Sequence, residues 1–336
     1  MATGNDRPII ILGCPRSGTT LLQVMLHSHP RIGIPPETRF LLPAYRERLR
    51  FGDLSETPNR RALGDFIVRT KGHRFADLGL DRDATVGEIA DGPPTLGSAV
   101  GIVLRAYAKR FGRPRWGDKR PAYYNYIDVV MRLFPDAKIL HVVRDPRDCV
   151  ASLKRMPWWR TDSYHSVAAW AQSIDNTERA MRVWPGAVTR VQYERLVAEP
   201  ESELTALCAE LGEEYDSAMA EPERLADVAV PERKHWHSNT RVGPTTERVG
   251  RWKDDLEPWE ASLCETVLAE RMARFGYEPA GAGPLGAAHR LRYYQALAAR
   301  EASRRSRIVK DVIDRRRERN PVAALLTSAE RESVRP

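Results

Sequence analysis

The sequence has no long hydrophobic run. Its most apolar early stretch, Ile9–Leu12, is far too short to cross a bilayer, and with Asp6 and Arg7 ahead of it and a polar loop behind it does not resemble a secretory signal. Cysteine is scarce: Cys14, Cys149, Cys208 and Cys264 form neither a C-x-x-C pair nor the spaced framework of a disulfide-stapled secreted domain. A cytoplasmic protein with reduced thiols is the expectation. Metal-ligand spacing is missing too, because His235-Trp236-His237 is an i,i+2 pair with no third ligand in view and reads as loop. No internal repeat or low-complexity segment precedes residue 280.

What is present describes a soluble α/β protein. Apolar residues make up 42% of the 336 and charged residues 29%, enough for a real core in one large domain with additions or in two smaller ones. The formal charge of +8 is concentrated in one place. Between Arg290 and Asn320 stand ten Arg and one Lys against four acids, a local +7, so the body is close to neutral. Nucleic acid is not expected as the main partner.

The chain is organised around residues 8–26. The run Pro8-Ile9-Ile10-Ile11-Leu12-Gly13 predicts a buried strand, and Leu21-Leu22-Gln23-Val24-Met25-Leu26 opens a helix. Between them, Cys14-Pro15-Arg16-Ser17-Gly18-Thr19-Thr20 supplies a cation and three hydroxyls at a helix N-terminus, where open amides and the helix dipole favour an anion. The spacing Gly13-x4-Gly18 imitates the triphosphate loop, but Thr19 stands where that loop has Lys, and the cation is Arg16. A kinase or triphosphatase is therefore the lesser alternative.

Further runs predict strands over Arg115–Lys119, Lys138–Val143 and Ala187–Gln192, with helices over Leu96–Phe111, Pro146–Arg155, Tyr164–Trp184, Pro200–Leu211 and Glu257–Phe275. Strands separated by such helices imply right-handed crossovers and a central parallel sheet flanked by helices, a P-loop-like three-layer sandwich. Ligands bind at the carboxyl ends of such strands, which puts Arg16, Lys119, Arg144 and Tyr193 on one rim. Residues 1–285 are expected to form this domain, with a helical cap or insertion at about 40–115, and 286–336 a basic helix and a loose tail. Leu291–Arg319 carries apolar residues at 291, 294, 297, 308, 312 and 313, which predicts a helix docked on the body with a solvated basic face. A nucleic-acid or membrane-surface binder working through this helix is the non-enzymatic alternative.

In ordered blocks over roughly residues 8–280, the sequence resembles the sulfotransferases that use 3′-phosphoadenosine 5′-phosphosulfate (PAPS), most of all the tyrosylprotein sulfotransferases and their bacterial relatives. The blocks are Pro15–Leu21, His29-Pro30, Glu37-Thr38-Arg39, Asp118-Lys119 with Pro121, Val143–Arg147 to Ser152, Tyr193–Val197 with Pro200, Gly250-Arg251-Trp252 and Phe275-Gly276-Tyr277. The resemblance implies that Arg16, Ser17, Gly18, Thr19 and Thr20 hold the 5′-phosphosulfate. Arg144 and Ser152 would hold the 3′-phosphate, Tyr193 would touch the nucleotide, and Ser238 would contribute from a segment, Ser238–Glu247, that closes over it. Glu37 stands in the place of the family's general base and Lys119 in that of its catalytic cation, beside Arg16. No metal is implied.

The acceptor implied is a hydroxyl on a small metabolite, a glycan or a peptidyl tyrosine, and a homodimer is left open. Two features depart from the family. The membrane anchor of the animal enzymes is missing, and Arg155 stands one position before an expected nucleotide-binding Arg, with Met156 in its place. Contacts from Arg155 and Lys253 to the cofactor stay open.

Overall fold

The computed structural model describes residues 7–222 and 243–325. Ser238 and the His235/His237 pair lie outside the described residues. Strand β1 (Ile9–Gly13) is buried along its whole length. Ile10 and Leu12 enter one core and Ile9 and Ile11 another, as the two-residue period of a strand requires. Each of these side chains contributes about 1.5–3 kcal/mol by leaving water, which is why an unbroken Ile-Ile-Ile-Leu run suits a central strand.

β2 (Ile32–Gly33), β3 (Arg115–Lys119), β4 (Lys138–Val143) and β5 (Val188–Gln192) complete a parallel sheet of order β2-β3-β1-β4-β5. Register places Ile10 beside Asp118 on one side and Ile139 on the other. The strands after β1 leave first toward one edge and then, from β4, toward the other. The loop after β1 therefore sits at the switch point, where a crevice opens at the strand ends.

One face of the sheet is covered by α1 (Thr19–Ser28) and later by α10 (Pro200–Leu211). On this side α9 (Tyr193–Ala198) follows β5 directly. The other face is covered by α5 (Leu96–Arg110), α6 (Ile127–Leu133) and α8 (Ser163–Val183). His141, on that face, is buried against Ser173 of α8, and burial holds its pKa down at about 3, so it is neutral there. Three short helices, α2 (Leu41–Arg46), α3 (Thr57–Arg69) and α4 (Arg82–Asp91), pack outside α5. α7 (Pro146–Lys154) runs from β4 with Pro146 in its first turn and the Asp145 carboxylate accepting from the Arg147 amide.

Three expectations are corrected. The helix predicted over Glu257–Phe275 is two, Pro258–Val267 and Ala269–Ala273, broken at the fully buried Leu268. The turn gained there lets Tyr277 reach back to Glu194.

The tail after Asn320 is not loose over its first residues. Val322 and Ala324 are buried, Gly97 donates to the Val322 carbonyl at 2.9 Å, and Ala324 donates to the Leu133 carbonyl at 2.8 Å. Gly97 is needed for that approach, since a Cβ there would lie 2.5 Å from the Ala324 nitrogen.

The basic helix Ala287–Arg315 does dock, but on Tyr293 and Ala296 and then on polar groups. Arg300 donates to Gln172 and to the Tyr124 hydroxyl, and Arg307 stacks on Tyr126. Leu291, Tyr294, Ile308, Val312 and Ile313 face outward. The body offers Tyr45, Arg48 and Asp128 opposite the C-terminal half of this helix, and charged partners answer them.

Candidate functional site

β1 ends at Gly13 and α1 begins at Thr19, two residues earlier than the sequence suggested. The five residues between turn sharply enough that Arg16 takes a left-handed φ of 73° and Gly18 one of 100°. For Arg16 that conformation carries strain of about 1–3 kcal/mol, the kind concentrated at ligand sites. Gly18 has no alternative: a Cβ there would sit 2.4 Å from the Tyr193 ring. α1 starts with no side-chain cap and no acid in its first turn, so its first amides remain available to an anion.

The β4–α7 junction supplies the second half. Arg144, just past β4, is nearly buried and lies over the Tyr193 ring with its guanidinium carbon 4.4 Å from the centroid. It donates to the Arg16 carbonyl at 3.2 Å and to the Arg248 carbonyl at 2.6 Å, and pairs with Asp148 at 3.5 Å. Ser152, two turns into α7, accepts from Arg16 Nε at 2.9 Å and so joins the two halves.

Around them the motifs lock one another. Asp148 accepts from the Gly250 and Trp252 amides, Arg147 stacks on Trp252, and Glu194 accepts from the Asp145 amide and the Tyr277 hydroxyl. These contacts pin the Gly250-Arg251-Trp252 and Phe275-Gly276-Tyr277 blocks to the β4–α7 junction and the start of α9.

Lys119 closes β3 fully buried, its Nζ 3.2 Å from the Thr20 hydroxyl. Burial lowers its pKa, and the negative charge of Glu37 works against that shift. Glu37 comes from the loop after β2, with Arg39 Nε 3.6 Å from its carboxylate.

A group that the sequence reading left without a role fixes this pair. Asp118, buried completely, accepts from Thr38 Oγ1 at 3.0 Å on both oxygens, from the Tyr123 hydroxyl and from the Lys119 amide. It thus ties the residue after Glu37 to the strand that carries Lys119. Its burial pushes its pKa up, and the donated hydrogen bonds oppose the rise. The only sequence signal for it was adjacency to Lys119.

All of this opens into one cleft of about 630 Å³. Arg16, Gly18, Thr19, Thr20, Glu37, Lys119, Arg144, Ser152 and Tyr193 line it, so the structure brings these expected residues together. Ser17 is the exception, fully buried beneath the loop with its Oγ lacking a hydrogen-bond partner. Arg155 lines the cleft while paired with Asp255 at 3.0 Å; Lys253 is not among the lining residues. Arg39, from the Glu37-Thr38-Arg39 block, also lines it, as do Trp158, Trp159 and three arginines to which the sequence assigned no role, Arg74, Arg120 and Arg248.

The electrostatics call for an anion. Burial and the repulsion of Arg144 and Arg248 lower the Arg16 pKa to about 10. Arg144 Nε is buried without a partner, as is Ser17 Oγ. Two cationic centres joined by the Arg16–Ser152 hydrogen bond, with unsatisfied donors at each, fit a nucleotide bearing two separated anionic groups. No cluster of His, Cys, Asp and Glu suited to a metal ion occurs among the described residues.

Comparison with known proteins places this geometry. Residues 8–217 match the sulfotransferase family. A protein-tyrosine sulfotransferase 1 of Danio rerio is 26% identical over 286 residues, 82% of this chain and 73% of that protein. The nodulation protein NoeE of Sinorhizobium fredii is 28% identical over 295 residues, 80% of this chain and 65% of NoeE. Among solved structures, the sulfotransferase domain of the Synechococcus PCC 7002 olefin synthase superposes with a TM-score of 0.54 at 28% identity, covering 80% of this chain and 96% of the domain. The strand–loop–helix cradle, the paired cationic junctions and the match over most of the sheet agree: the chain belongs to the sulfotransferase family.

Proposed function

We propose that the protein transfers the sulfuryl group of PAPS to a hydroxyl, with Glu37 as general base and Lys119 and Arg16 as the cations of the reaction. The observation that carries this reading is the meeting of Glu37, Lys119, Arg16, Arg144 and Ser152 in one cleft. Arg16 with the amides and hydroxyls of residues 17–20 would hold the phosphosulfate. Arg144 and Ser152 would hold the 3′-phosphate, and Tyr193 would hold the nucleotide where Gly18 leaves room for its ring. PAPS supplies an activated sulfur bound to a good leaving oxygen.

The side chains do the rest. Glu37 takes the proton of the acceptor hydroxyl as its oxygen bonds to sulfur. Lys119 and Arg16 meet the charge that builds on the leaving oxygen as the bond between that oxygen and sulfur breaks, and adenosine 3′,5′-bisphosphate departs. Both cations sit at the ends of rigid elements, so little reorganisation is needed at that moment.

Acceptors enter past Arg39, Arg74, Arg120 and the tryptophan pair, whose rings lie 6.0 Å apart edge to face. That wall favours an acceptor with an anionic group near the hydroxyl, whether small metabolite, glycan or peptidyl tyrosine. The four free, buried cysteines support a cytoplasmic setting. Transfer of labelled sulfate from PAPS into a cell extract, with identification of the labelled product, tests the proposal. A labelled hydroxyl product is expected; labelling from ATP phosphate in place of PAPS sulfate would overturn it.

A further inference from the structure

The C-terminal helix Ala287–Arg315 presents an outward face with no partner in the described chain. Leu291, Tyr294, Val309, Val312 and Ile313 are 45–60% exposed, unusual for side chains of this size. At 100° per residue they fall within an arc of about 100°, with Ala298 and Ala302 continuing the same line between them. The result is one largely apolar stripe, about 33 Å long from Leu291 to Ile313, on the side away from α8.

The surroundings of the stripe are cationic. Arg292, Lys310 and Arg317 are exposed along one margin, while Arg305 and Arg316 lie within the arc and are long enough to reach beyond it. Arg305 is offset by Glu301 at 3.2 Å, so the charge of that face rests on Arg292, Lys310, Arg316 and Arg317. Glu301 is engaged by Arg304 and Arg305, Asp311 by Arg48 and Arg315, and Asp314 lies on the opposite side from the stripe.

We propose that this helix seats the protein on an anionic lipid surface, lying in the plane of the headgroups with the stripe turned toward the acyl chains. Charge and apolarity together select that occupant. A second copy packed along the stripe would set two cationic margins against each other. Phosphates of a nucleic acid would satisfy the arginines but leave the leucine, valines and isoleucine against water. An anionic bilayer answers both, because the basic side chains meet the phosphates and the apolar ones pass below them. The attachment is peripheral, since no helix among the described residues is long and apolar enough to cross a membrane.

Co-sedimentation of the full chain with vesicles tests this. Vesicles of phosphatidylcholine containing phosphatidylglycerol are expected to bind the protein, and phosphatidylcholine alone to leave it in solution. A triple variant, Leu291→Ser, Val309→Ser and Ile313→Ser, is expected to lower partitioning by about tenfold or more while leaving the melting temperature unchanged, because all three side chains are exposed. Absence of binding to the anionic vesicles would overturn the proposal. So would unchanged binding of the triple variant, which would leave basicity alone as the cause. A lipid-free dimer dissolved by the same triple variant would assign the stripe to a second copy instead.

Discussion

At one end of the cleft, Arg16, Lys119, Arg144 and Tyr193 hang from the ends of strands, and Ser152 joins them from two turns into α7. At the other end, Glu37, Arg39, Arg74, Arg120 and the two tryptophans come from loops and short turns. The first set is over-determined: Asp148, Arg147 and Glu194 tie its loops to the sheet through buried hydrogen bonds. The second set is held by scattered contacts: Asp118 grips Thr38, the Arg39 amide donates to the His73 carbonyl, and Trp159 Nε1 donates to Ser166. A sulfotransferase needs this division. In the proposed reaction the donor nucleotide benefits from a rigid seat, while the acceptor is served by elements that can change without disturbing the sheet.

Substitutions at each end should separate these roles. The largest effect is expected from Glu37→Gln, which keeps the shape of the side chain but cannot accept a proton. Turnover should fall by about 10²–10⁴-fold while affinity for adenosine 3′,5′-bisphosphate is kept. Stopped-time assays beside calorimetric titration would check this, and normal turnover would remove Glu37 from the mechanism.

Arg144→Lys with Ser152→Ala acts at the opposite end. It should weaken adenosine 3′,5′-bisphosphate by roughly a hundredfold and leave adenosine 5′-phosphosulfate, which lacks the 3′-phosphate, almost unaffected. Equal losses for both ligands would mean that the 3′-phosphate is read elsewhere.

Asp118→Asn tests the tether between Thr38 and β3. It places an amide among three donors, and turnover is expected to fall by about tenfold with nucleotide affinity unchanged. A parallel loss of nucleotide binding would show that the tether serves the whole sheet edge.

The smallest effect is one of pH. In the proposed reaction Lys119 acts as a cation, and burial lowers its pKa. Activity should therefore fall on the alkaline side below the range of an ordinary lysine. In Lys119→Arg, whose guanidinium stays protonated, the residual activity should lose that limb. An unchanged alkaline limb in the Arg variant would assign it to another group.

The contrast between the two ends also explains what could be read from the sequence. The apolar runs of β1 and β4 and the periodic helices announced the sheet, because burial on both faces leaves little choice of residue in its central strands. Arg16, Lys119, Arg144 and Tyr193 were legible because each ends a strand or follows one within three positions, and Ser152 through the block that begins at Val143. Arg74 and Arg248 were not, since only tertiary folding brings residues so far apart to one wall, and Arg120 carried no signal of its own beside Lys119.

The Asp118–Thr38–Tyr123 network escaped for the same reason, although Thr38 and Asp118 stand in two of the recognised blocks. On the C-terminal helix the period identified which apolar residues share a face. It did not tell which face meets the body, because the body there is polar and selected Asp311, Arg300 and Arg307 instead. Burial hid Ser17 from the cleft even though it lies in the middle of the loop.

The central claim is that the displaced loop cation and the β4–α7 junction together form a seat for two separated anions on one nucleotide. Competition calorimetry of adenosine 3′,5′-bisphosphate against ATP with Mg²⁺ tests it most directly. The account predicts that the bisphosphate binds at least tenfold more tightly, the advantage coming from Arg144 and Ser152. Tighter binding of Mg²⁺-ATP would contradict it and return the loop at residues 13–20 to the triphosphate class.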